Sequence, residues 1–410
     1  MTKKSPLAPL KFPDLPPVPG VEIAGAACGL KVSGRPDLFI ARLAPGTTIA
    51  GAFTRSLCPS GPVDWCRKIL PKGKVRAIVV NSGNANAFTG KAGDRTVEHT
   101  VKRAAQLIGC PQNEVYIAST GVIGVPVPPD HIADKLPGMV KQLAPGSWPE
   151  AAAAILTTDT FPKGSVRTAR IGDAEITLTG VAKGSGMIAP DMATMLGFLF
   201  TDAKIPADVL QRLLTRAVDD SFNATTVDGD TSTSDTVLLC ATGAGARHPK
   251  ITSAGDTHLA DFKRALAEVT QDLAIQIVRD GEGAQKLITI DVTGATSRQA
   301  ARKIGLAIAN SPLVKTAAAG GDPNWGRLVM AVGKAGQKAD RDLLSISIGG
   351  VSVTENGQLR SDYDEAAAEA HMAGSEIHFG VDIGLGKGRA RVWTCDLTHG
   401  YITINADYRT

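Results

Sequence analysis

Short apolar runs that end in small polar residues recur along this chain, and this pattern predicts β-strands followed by tight loops. Three of them are Ala77 to Val80 before NSGNANA, Val115 to Ala118 before STGVIG, and Ile176 to Thr179 before GVAKGSG. Apolar residues spaced by three and four predict a helix that starts at Pro206 and another from Thr257 to Ile277. Strands and helices are interspersed, so the sequence predicts a mixed α/β (α+β) protein.

A second region begins near Lys286, where KLITIDVTGA has the pattern of a strand and SRQAARKIGLAIANS that of a helix. The other predicted elements here are strands at Leu328 to Val332, Leu344 to Ile348 and Glu376 to Asp382, and a short acidic helix around Asp364 to Ala370. Alternation at Val392 and Thr394, and then at Tyr401 and Thr403, predicts one or two closing strands between Lys387 and Thr410. The pattern indicates three parts: a Pro-rich arm over residues 1–20, a core domain over 21–285, and a smaller C-terminal α/β domain over 286–410.

Composition narrows the class of protein. The 410 residues are 43% hydrophobic and 20% charged, values typical of globular proteins. A net charge of +4, without a block of five basic residues, argues against a nucleic-acid partner. No apolar run reaches the roughly 18 residues of a membrane helix, and no signal-peptide pattern follows the start. Six cysteines without a CxxC spacing indicate reduced thiols, so we expect a cytoplasmic protein that does not contact a membrane.

Thr194 is the strongest candidate for a nucleophile. It follows the small residue Ala193 in a Gly-rich stretch, KGSGMIAPDMATMLGFLFTDA, that begins with Lys183. A threonine hydroxyl needs a base, and one solution is a chain break that frees the α-amine of the threonine itself. Composition alone, however, favours a Gly-rich turn before a buried strand from Met195 to Phe200 over a nucleophile.

Three polar motifs could surround such a nucleophile. STGVIG offers a hydroxyl and backbone N–H groups, which is what an oxyanion hole requires. NSGNANA and VDGDTSTSD are polar loops by composition, and the second favours loop structure over a metal site because the EF-hand spacing is absent. The glycines of GLGKG precede a strand pattern rather than a helix, which excludes a dinucleotide-binding fingerprint.

Eight motifs follow one another along nearly the whole chain, from about Val21 to Thr410. They are NSGNANA, STGVIG, TTDTFPK, KGSGMIAPDMATML, DGDTSTSDT, RDGEGAQK, GGDPNWGR and NADYRT. In these motifs the chain resembles the ornithine acetyltransferase family, the bifunctional glutamate N-acetyltransferases of arginine biosynthesis. The resemblance implies a layered α/β/β/α-type core, of the kind shared with self-processing aminopeptidases, and a smaller C-terminal α/β domain.

The resemblance also implies roles for single residues. The precursor would cut itself between Ala193 and Thr194, and Thr194 would then carry the acetyl group from N-acetylornithine to glutamate in a ping-pong reaction that releases ornithine. Thr120 and Gly121 would form the oxyanion hole. The substrate-binding residues implied by the match are Thr158, Lys183, Thr194, Glu282, Asn405 and Thr410. In chemical terms, a lysine can pair with an α-carboxylate and a glutamate with an ammonium group.

The family resemblance implies no metal and no bound cofactor. Acetyl-CoA is a second acetyl donor in some members, and no motif decides whether this chain uses it. The cleaved chains are expected to stay together as a heterotetramer of two α and two β chains. Two alternatives remain: an N-terminal-nucleophile aminopeptidase or amidohydrolase of related fold, against which GGDPNWGR and NADYRT argue, and a non-catalytic metabolite-binding protein, which would stay uncut.

Overall fold

The computed structural model describes residues 3–189 and 195–406, and these form two compact units. The core unit comprises the described residues of 10–223 and 230–277, and the second unit those of 1–9, 224–229 and 278–410. The second unit therefore includes described residues of 1–9, which the sequence pattern assigns to the arm, and residues 224–229 and 278–285, which it assigns to the core domain. The domain boundaries at residues 20 and 285 stay predictions.

Two sheets form the centre of the core unit. Their strands are β1 (Val21–Ala26), β2 (Leu38–Leu43), β3 (Thr48–Phe53), β4 (Ala77–Asn84), β5 (Val115–Val122), β6 (Lys163–Ile171), β7 (Ala174–Lys183), β8 (Leu196–Thr201) and β9 (Thr236–Ala241). The first sheet has the order β1-β2-β4-β5 and the second the order β3-β9-β8-β7-β6. All three strands predicted at the first polar motifs are confirmed.

Strand β8 shows how the layers are packed. The ring of Phe198 lies 5.7 Å from that of Phe39 in β2, so this face of β8 packs against the first sheet. On the other face, a Cβ at Gly180 of β7 would contact Leu199 of β8 and also Leu273, which lies in the helix Ala260–Arg279. A strand covered on both faces needs apolar residues throughout, and all six residues of β8 are buried.

Helices cover the outer faces of the two sheets. They are α1 (Gly61–Ile69), α2 (Gly90–Ile108), α3 (Pro129–Ala133), α4 (Leu136–Lys141), α5 (Trp148–Ala154), α6 (Ala207–Asp220) and α7 (Ala260–Arg279), the last of which ends two residues into the second unit. Helices α1 and α2 pack on β5, and α6 packs on β3 and β9. Pro206 is the N-cap of α6 rather than its first residue. The predicted layered α/β/β/α core is confirmed.

The second unit has a six-stranded mixed sheet of its own. Its strands are β10 (Leu287–Ala295), β11 (Ser345–Ile348), β12 (Val351–Glu355), β13 (Gln358–Leu359), β14 (Glu376–Asp382) and β15 (Gly388–Cys395), and its helices are α8 (Arg298–Ala309), α9 (Pro312–Gly320), α10 (Trp325–Gly333), α11 (Glu365–Met372) and α12 (His399–Ala406). The strand order is β13-β12-β11-β14-β10-β15, and α8 packs on β10 and β15.

The closing strand predicted at Val392 and Thr394 is confirmed as β15, but two other predicted strands of this region are wrong. Leu328 to Val332 lies in α10, where Leu328, Ala331 and Val332 are buried at a helical spacing. Such a short apolar run fits a buried strand and a buried helix equally well. The alternating residues Tyr401 and Thr403 lie in α12, which is supported by a bond from Thr403 Oγ1 to the carbonyl oxygen of His399 one turn earlier.

Candidate functional site

The motifs NSGNANA and STGVIG begin inside strands, so the expectation that each is a loop or turn throughout was wrong. β4 and β5 run parallel, with Ser82 opposite Thr120 and Gly83 opposite Gly121. Small polar residues have little strand propensity of their own. Pairing between the two strands satisfies their backbone groups, and this long-range pairing is not visible in either motif alone.

The position of Gly121 requires glycine. Its φ is +132°, and a Cβ on it would lie 2.3 Å from the carbonyl carbon of Gly83. The ends of β4 and β5 can therefore approach each other only because Gly121 has no side chain. The neighbouring Thr120 is 1% exposed, so its hydroxyl lies in a site that bulk water does not reach.

A buried lysine contacts this strand end. Lys183, the last residue of β7, is 2% exposed, and its Nζ donates a hydrogen bond of 3.3 Å to Oγ1 of Thr120. Because the Thr120 oxygen accepts this bond, the hydroxyl proton can be donated to a further acceptor. The contact joins the two sheets and brings together two residues to which the sequence motifs assign different roles.

A buried ion pair between Asp159 and Lys163 lies near Lys183, whose charge also acts on Asp159. Asp159 and Lys163 form an ion pair of 2.7 Å, and both side chains are fully buried. The N–H of Gly184 donates to Asp159 as well, at 2.7 Å. Burial opposes ionisation of Asp159, but the charges of Lys163 and Lys183 outweigh it and hold the pKa of Asp159 below its usual range. Thr158, a predicted substrate-binding residue, lies half-buried next to Asp159.

Strand β8 begins between the end of β7, which carries Lys183, and the start of β9. Its first residue, Leu196, pairs with Lys183 at the end of β7 on one side and with Thr236 at the start of β9 on the other. Ala193 and Thr194, the predicted cleavage site and nucleophile, lie outside the described residues. The described chain resumes at Met195, the residue after Thr194, and Met195 directly precedes β8.

Asp235 holds the residue that follows Thr194. Its Oδ1 accepts a hydrogen bond of 2.9 Å from the N–H of Met195. The Asp235 side chain is completely buried, and burial raises the pKa of its carboxyl group well above the usual value, although the Met195 bond and the charge of Lys183 act in the opposite direction. Burial therefore opposes ionisation of a carboxyl group that binds the backbone of the residue after Thr194.

A loop over residues 28–37 lies against the end of β4. The buried carboxylate of Asp37 organises this loop by accepting hydrogen bonds from the backbone N–H groups of Cys28, Leu30 and Lys31. The Asp37 carbonyl oxygen accepts a further bond, of 2.9 Å, from the N–H of Ser82 in β4. These bonds fix the loop beside the paired glycines of β4 and β5.

Lys31 adds a further cation to this region. A Cβ on Gly83 would lie 3.1 Å from Cγ of Lys31, so the lysine stem passes over the strand end. Burial lowers the pKa of Lys31 to about 8, and the neighbouring positive charges of Arg35 and Lys183 contribute to this shift, while Asp159 opposes it. The region around Thr120 therefore has a surplus of cations suited to a carboxylate ligand.

The remaining predicted site residues belong to the second unit. Glu282 is 7% exposed, and its Oε2 accepts a hydrogen bond of 2.7 Å from Nδ2 of Asn405 in α12. The loop that carries Glu282 is held by a bond of 2.7 Å from Oγ1 of Thr398 to the carbonyl oxygen of Gly283. Thr410 lies outside the described residues.

Within residues 3–189 and 195–406, no three His, Cys, Asp or Glu side chains are grouped as a metal site would require. None of the helices in these ranges is long and apolar enough to span a membrane.

Comparison with known proteins decides the family. The sequence model of the ArgJ family matches residues 22–410 of this chain. The chain belongs to the ArgJ family. Proteins named arginine biosynthesis bifunctional protein ArgJ are similar to it along its length. The one from Brucella suis biovar 1 is 54% identical over 408 residues, and the one from Bradyrhizobium diazoefficiens is 55% identical over 412 residues, with 99% of both partners covered in each case.

Solved structures of related proteins match parts of this ArgJ-family chain. The ArgJ protein of Bacillus halodurans is 39% identical, with a TM-score of 0.49, and the match covers 51% of this chain and 97% of that one. An ornithine acetyltransferase of Mycobacterium tuberculosis, solved in complex with ornithine, is 32% identical, with a TM-score of 0.37 and coverage of 46% and 96%. The predicted family and enzyme class, an acyltransferase of arginine biosynthesis, are confirmed. The roles of the single residues stay predictions.

Reasoning from sequence misses several charged residues of this region, among them Lys31, Asp159, Lys163 and Asp235. Asp159 and Lys163 are spaced by four in TTDTFPK, a spacing that suggests an ion pair only if the segment is buried. Asp235 ends a motif whose composition favours a loop, and nothing in the motif predicts that this one acid is buried. Lys31 lies in CGLKVSGRPD, a stretch that none of the eight motifs includes.

Proposed function

We propose that this chain transfers the acetyl group of N-acetyl-L-ornithine to L-glutamate through an acetyl-Thr194 intermediate, giving L-ornithine and N-acetyl-L-glutamate. The observation that carries the proposal is the buried contact between Lys183 and Thr120, next to the strand that Thr194 precedes. Membership of the ArgJ family supports the same reaction.

The geometry suits acyl transfer. When the Thr194 hydroxyl oxygen attacks the acetyl carbonyl carbon, negative charge develops on the carbonyl oxygen, and the α-amine of Thr194 takes the hydroxyl proton. Thr120 can donate its hydroxyl proton to that oxygen because Lys183 already donates to Thr120. The N–H of Gly121 is the second predicted donor. Donors fixed in a buried site need no reorganisation during the reaction, which is the main source of oxyanion stabilisation.

The substrate contacts follow from charge. The cations around Thr120 suit the α-carboxylate that donor and acceptor share, and Lys183 is the predicted partner. Glu282, oriented by Asn405, is the predicted partner of a substrate ammonium group. Thr158 and Thr410 are proposed to donate and accept further hydrogen bonds. Acetyl-CoA, as a second donor substrate, would enter the same acetyl-Thr194 intermediate.

The proposal includes maturation. The chain would cut itself between Ala193 and Thr194, because only a terminal Thr194 has the α-amine that the transfer step uses as a base. The two resulting chains, of 193 and 217 residues out of 410, would remain associated as a heterotetramer of two α and two β chains in the cytoplasm.

Mass spectrometry of the purified protein tests the proposal. The wild type should give two chains, one that starts at the natural N-terminus and one that starts at Thr194. Brief exposure to N-acetylornithine should add one acetyl group, a mass of about 42 Da, to the second chain. Thr194→Ala should stay uncut and inactive, and Thr194→Ser should be cut and retain some activity.

The same experiment separates the competing functions. Loss of the acetyl group to water at the same rate with and without glutamate would indicate an amidohydrolase. A wild-type chain that stays whole and takes up no acetyl group would indicate a binding protein. Either result would overturn the proposed transfer reaction.

A further inference from the structure

One cation near Thr120 has no anionic partner among the described residues. Lys31 is half-buried, and its Nζ makes one hydrogen bond in the described part of the chain, of 2.7 Å, to the carbonyl oxygen of Pro36. Asp37 does not contact this ammonium group, because its two carboxylate oxygens accept from backbone N–H groups of the same loop. An ammonium group has three donors, so two are left for a ligand or for water.

The stem of Lys31 lies over the paired ends of β4 and β5. Its Cγ would lie 3.1 Å from a Cβ on Gly83, and Gly83 pairs with Gly121, the residue after Thr120. Neighbouring strands are about 5 Å apart, so Lys31 lies beside the predicted oxyanion hole. Burial and the positive charges of Arg35 and Lys183 destabilise the ammonium form of Lys31 and lower its pKa, and a bound carboxylate would relieve this.

The loop that carries this lysine is bonded to two segments of the predicted site. The carbonyl oxygen of Asp37 accepts a bond of 2.9 Å from the N–H of Ser82 in β4. Nη2 of Arg35 lies 3.5 Å from the carbonyl oxygen of Thr157, the residue before the predicted substrate-binding residue Thr158. The loop therefore contacts both the strand end at the oxyanion hole and the segment TTDTFPK. A binding group that is positioned before the ligand arrives loses less conformational freedom when the ligand binds.

The two amino acids of the proposed reaction differ at the ends of their side chains. Ornithine ends in an ammonium group and glutamate in a carboxylate, whereas both carry the α-carboxylate for which Lys183 is the predicted partner. A carboxylate such as Glu282 suits the ammonium group and repels the second carboxylate of glutamate. The acetyl acceptor therefore needs a cation that the donor does not need.

We propose that Lys31 binds the side-chain carboxylate of glutamate and so makes the acceptor step selective for an acidic amino acid, an inference that rests on the proposed transfer reaction. Standard bond lengths put this carboxylate at most about 5 Å from the glutamate amine, so it stays close to the oxyanion hole while the amine attacks the acetyl group. The Lys31 ammonium group donates to the carboxylate. Ornithine has no group that can accept this bond at its side-chain end, so Lys31 does not assist its binding.

The acceptor half of the reaction tests the assignment. Mature enzyme acetylated by N-acetylornithine is freed of donor and mixed with glutamate or with ornithine, and mass spectrometry follows the loss of the acetyl group from Thr194. In Lys31→Met the second-order rate constant with glutamate should fall by about 10- to 100-fold, the usual effect of losing a hydrogen bond between two charged groups. The rate constant with ornithine, which regenerates N-acetylornithine, should not fall.

Two further variants provide the controls. Lys31→Arg keeps the positive charge and should retain most of the rate with glutamate, which a loss caused by altered packing alone would not show. Lys68→Met removes the same charge at an exposed position of α1 and should match the wild type with both amino acids.

The wild type alone provides a test that does not depend on the folding of a variant. Glutamine has nearly the shape of glutamate, but the end of its side chain is uncharged. The wild type should therefore use glutamine about as slowly as Lys31→Met uses glutamate. Equal rate constants for glutamate and glutamine in the wild type would overturn the inference.

The remaining outcomes separate this inference from the proposed function. An equal loss with glutamate and ornithine in Lys31→Met would assign Lys31 to the shared α-carboxylate or to the fold, and an unchanged rate with glutamate would remove it from the site. Each of these results overturns the inference alone, provided that the wild type transfers the acetyl group to glutamate. If Thr194 of the wild type takes up no acetyl group from N-acetylornithine, the proposed function itself fails.

Discussion

Lys183 Nζ lies 3.3 Å from Thr120 Oγ1, and this buried contact links the end of β7 in one sheet to β5 in the other. The two residues are 63 positions apart in sequence. The bond sets the direction of the Thr120 hydroxyl: the oxygen accepts from the lysine, and the proton can point to a substrate. An apparently simple Ser-Thr-Gly sequence thereby acquires a defined donor.

Thr120→Ala should slow acyl transfer more than it weakens substrate binding. The lost donor acts on charge that develops only in the transition state, and removal of one such donor typically lowers the rate by about 10² to 10³. Single-turnover acetylation of Thr194 by N-acetylornithine measures the effect. Thr120→Ser, which keeps the hydroxyl, should retain most of the rate. A change confined to KM would place Thr120 in ground-state binding.

Asp159→Asn should destabilise the protein strongly at neutral pH, by about 3 to 5 kcal/mol, because it leaves Lys163 buried without its counter-ion. Chemical denaturation measures the change. The double variant Asp159→Asn with Lys163→Met should recover part of the loss, since it removes both charges. Equal stability of the single and double variants would contradict the pairing argument.

The Asp159 carboxylate should also make the free energy of unfolding depend on pH in the acid range. The pKa of Asp159 is lowered in the folded chain, so its contribution is present at pH values above the ordinary pKa of about 3.9 and is lost as the pH falls through the folded pKa. The difference in free energy of unfolding between wild type and Asp159→Asn should therefore shrink as the pH falls below about 4. A difference that stays constant down to the acid limit of the folded state would show that Asp159 is not ionised in the pair.

Lys31→Met should change the pH dependence of stability in the alkaline range. The pKa of Lys31 is lowered to about 8, so between that pH and the ordinary value of about 10.4 the unfolded chain binds more protons, and the wild type should gain stability as the pH rises. With solvent screening allowed for, the gain is on the order of 1 kcal/mol. The variant should lack it, whereas Lys68→Met, at an exposed lysine of α1, should behave as the wild type. Parallel curves for wild type and Lys31→Met would contradict the shifted pKa.

Deletion of residues 405–410 should leave cleavage at Thr194 largely unchanged and raise the KM for both N-acetylornithine and glutamate. The deletion removes the donor that orients Glu282, and a ping-pong enzyme uses one amino-acid pocket for both substrates. Steady-state kinetics of the cleaved enzyme measure the two constants. Ile402→Ala, at an exposed residue of the same helix, is the control and should keep wild-type constants. Full activity of the deletion would remove Asn405 and Thr410 from the site.

Much of the fold could be predicted from periodicity alone. Short apolar runs that end in small polar residues predict the strands at β4, β5 and β7, the pattern after Lys286 predicts β10, β14 and α8, and the spacing of three and four predicts α6 and α7. The errors fall where the pattern is short. The five residues from Leu328 to Val332 fit either type of structure, and α12 has no buried residues whose spacing could reveal a helix.

The sequence by itself determined the family, because eight ordered motifs together are specific, and it marked the segments that carry the chemistry. Only the tertiary structure decided which charges are buried and what they face. Asp228, Asp230 and Asp235 belong to one acidic motif, yet among them only Asp235 is completely buried. Asp235 directly precedes β9, which pairs with β8. Burial and charge neighbours depend on residues brought together from distant parts of the chain, and they set the protonation state of an acid.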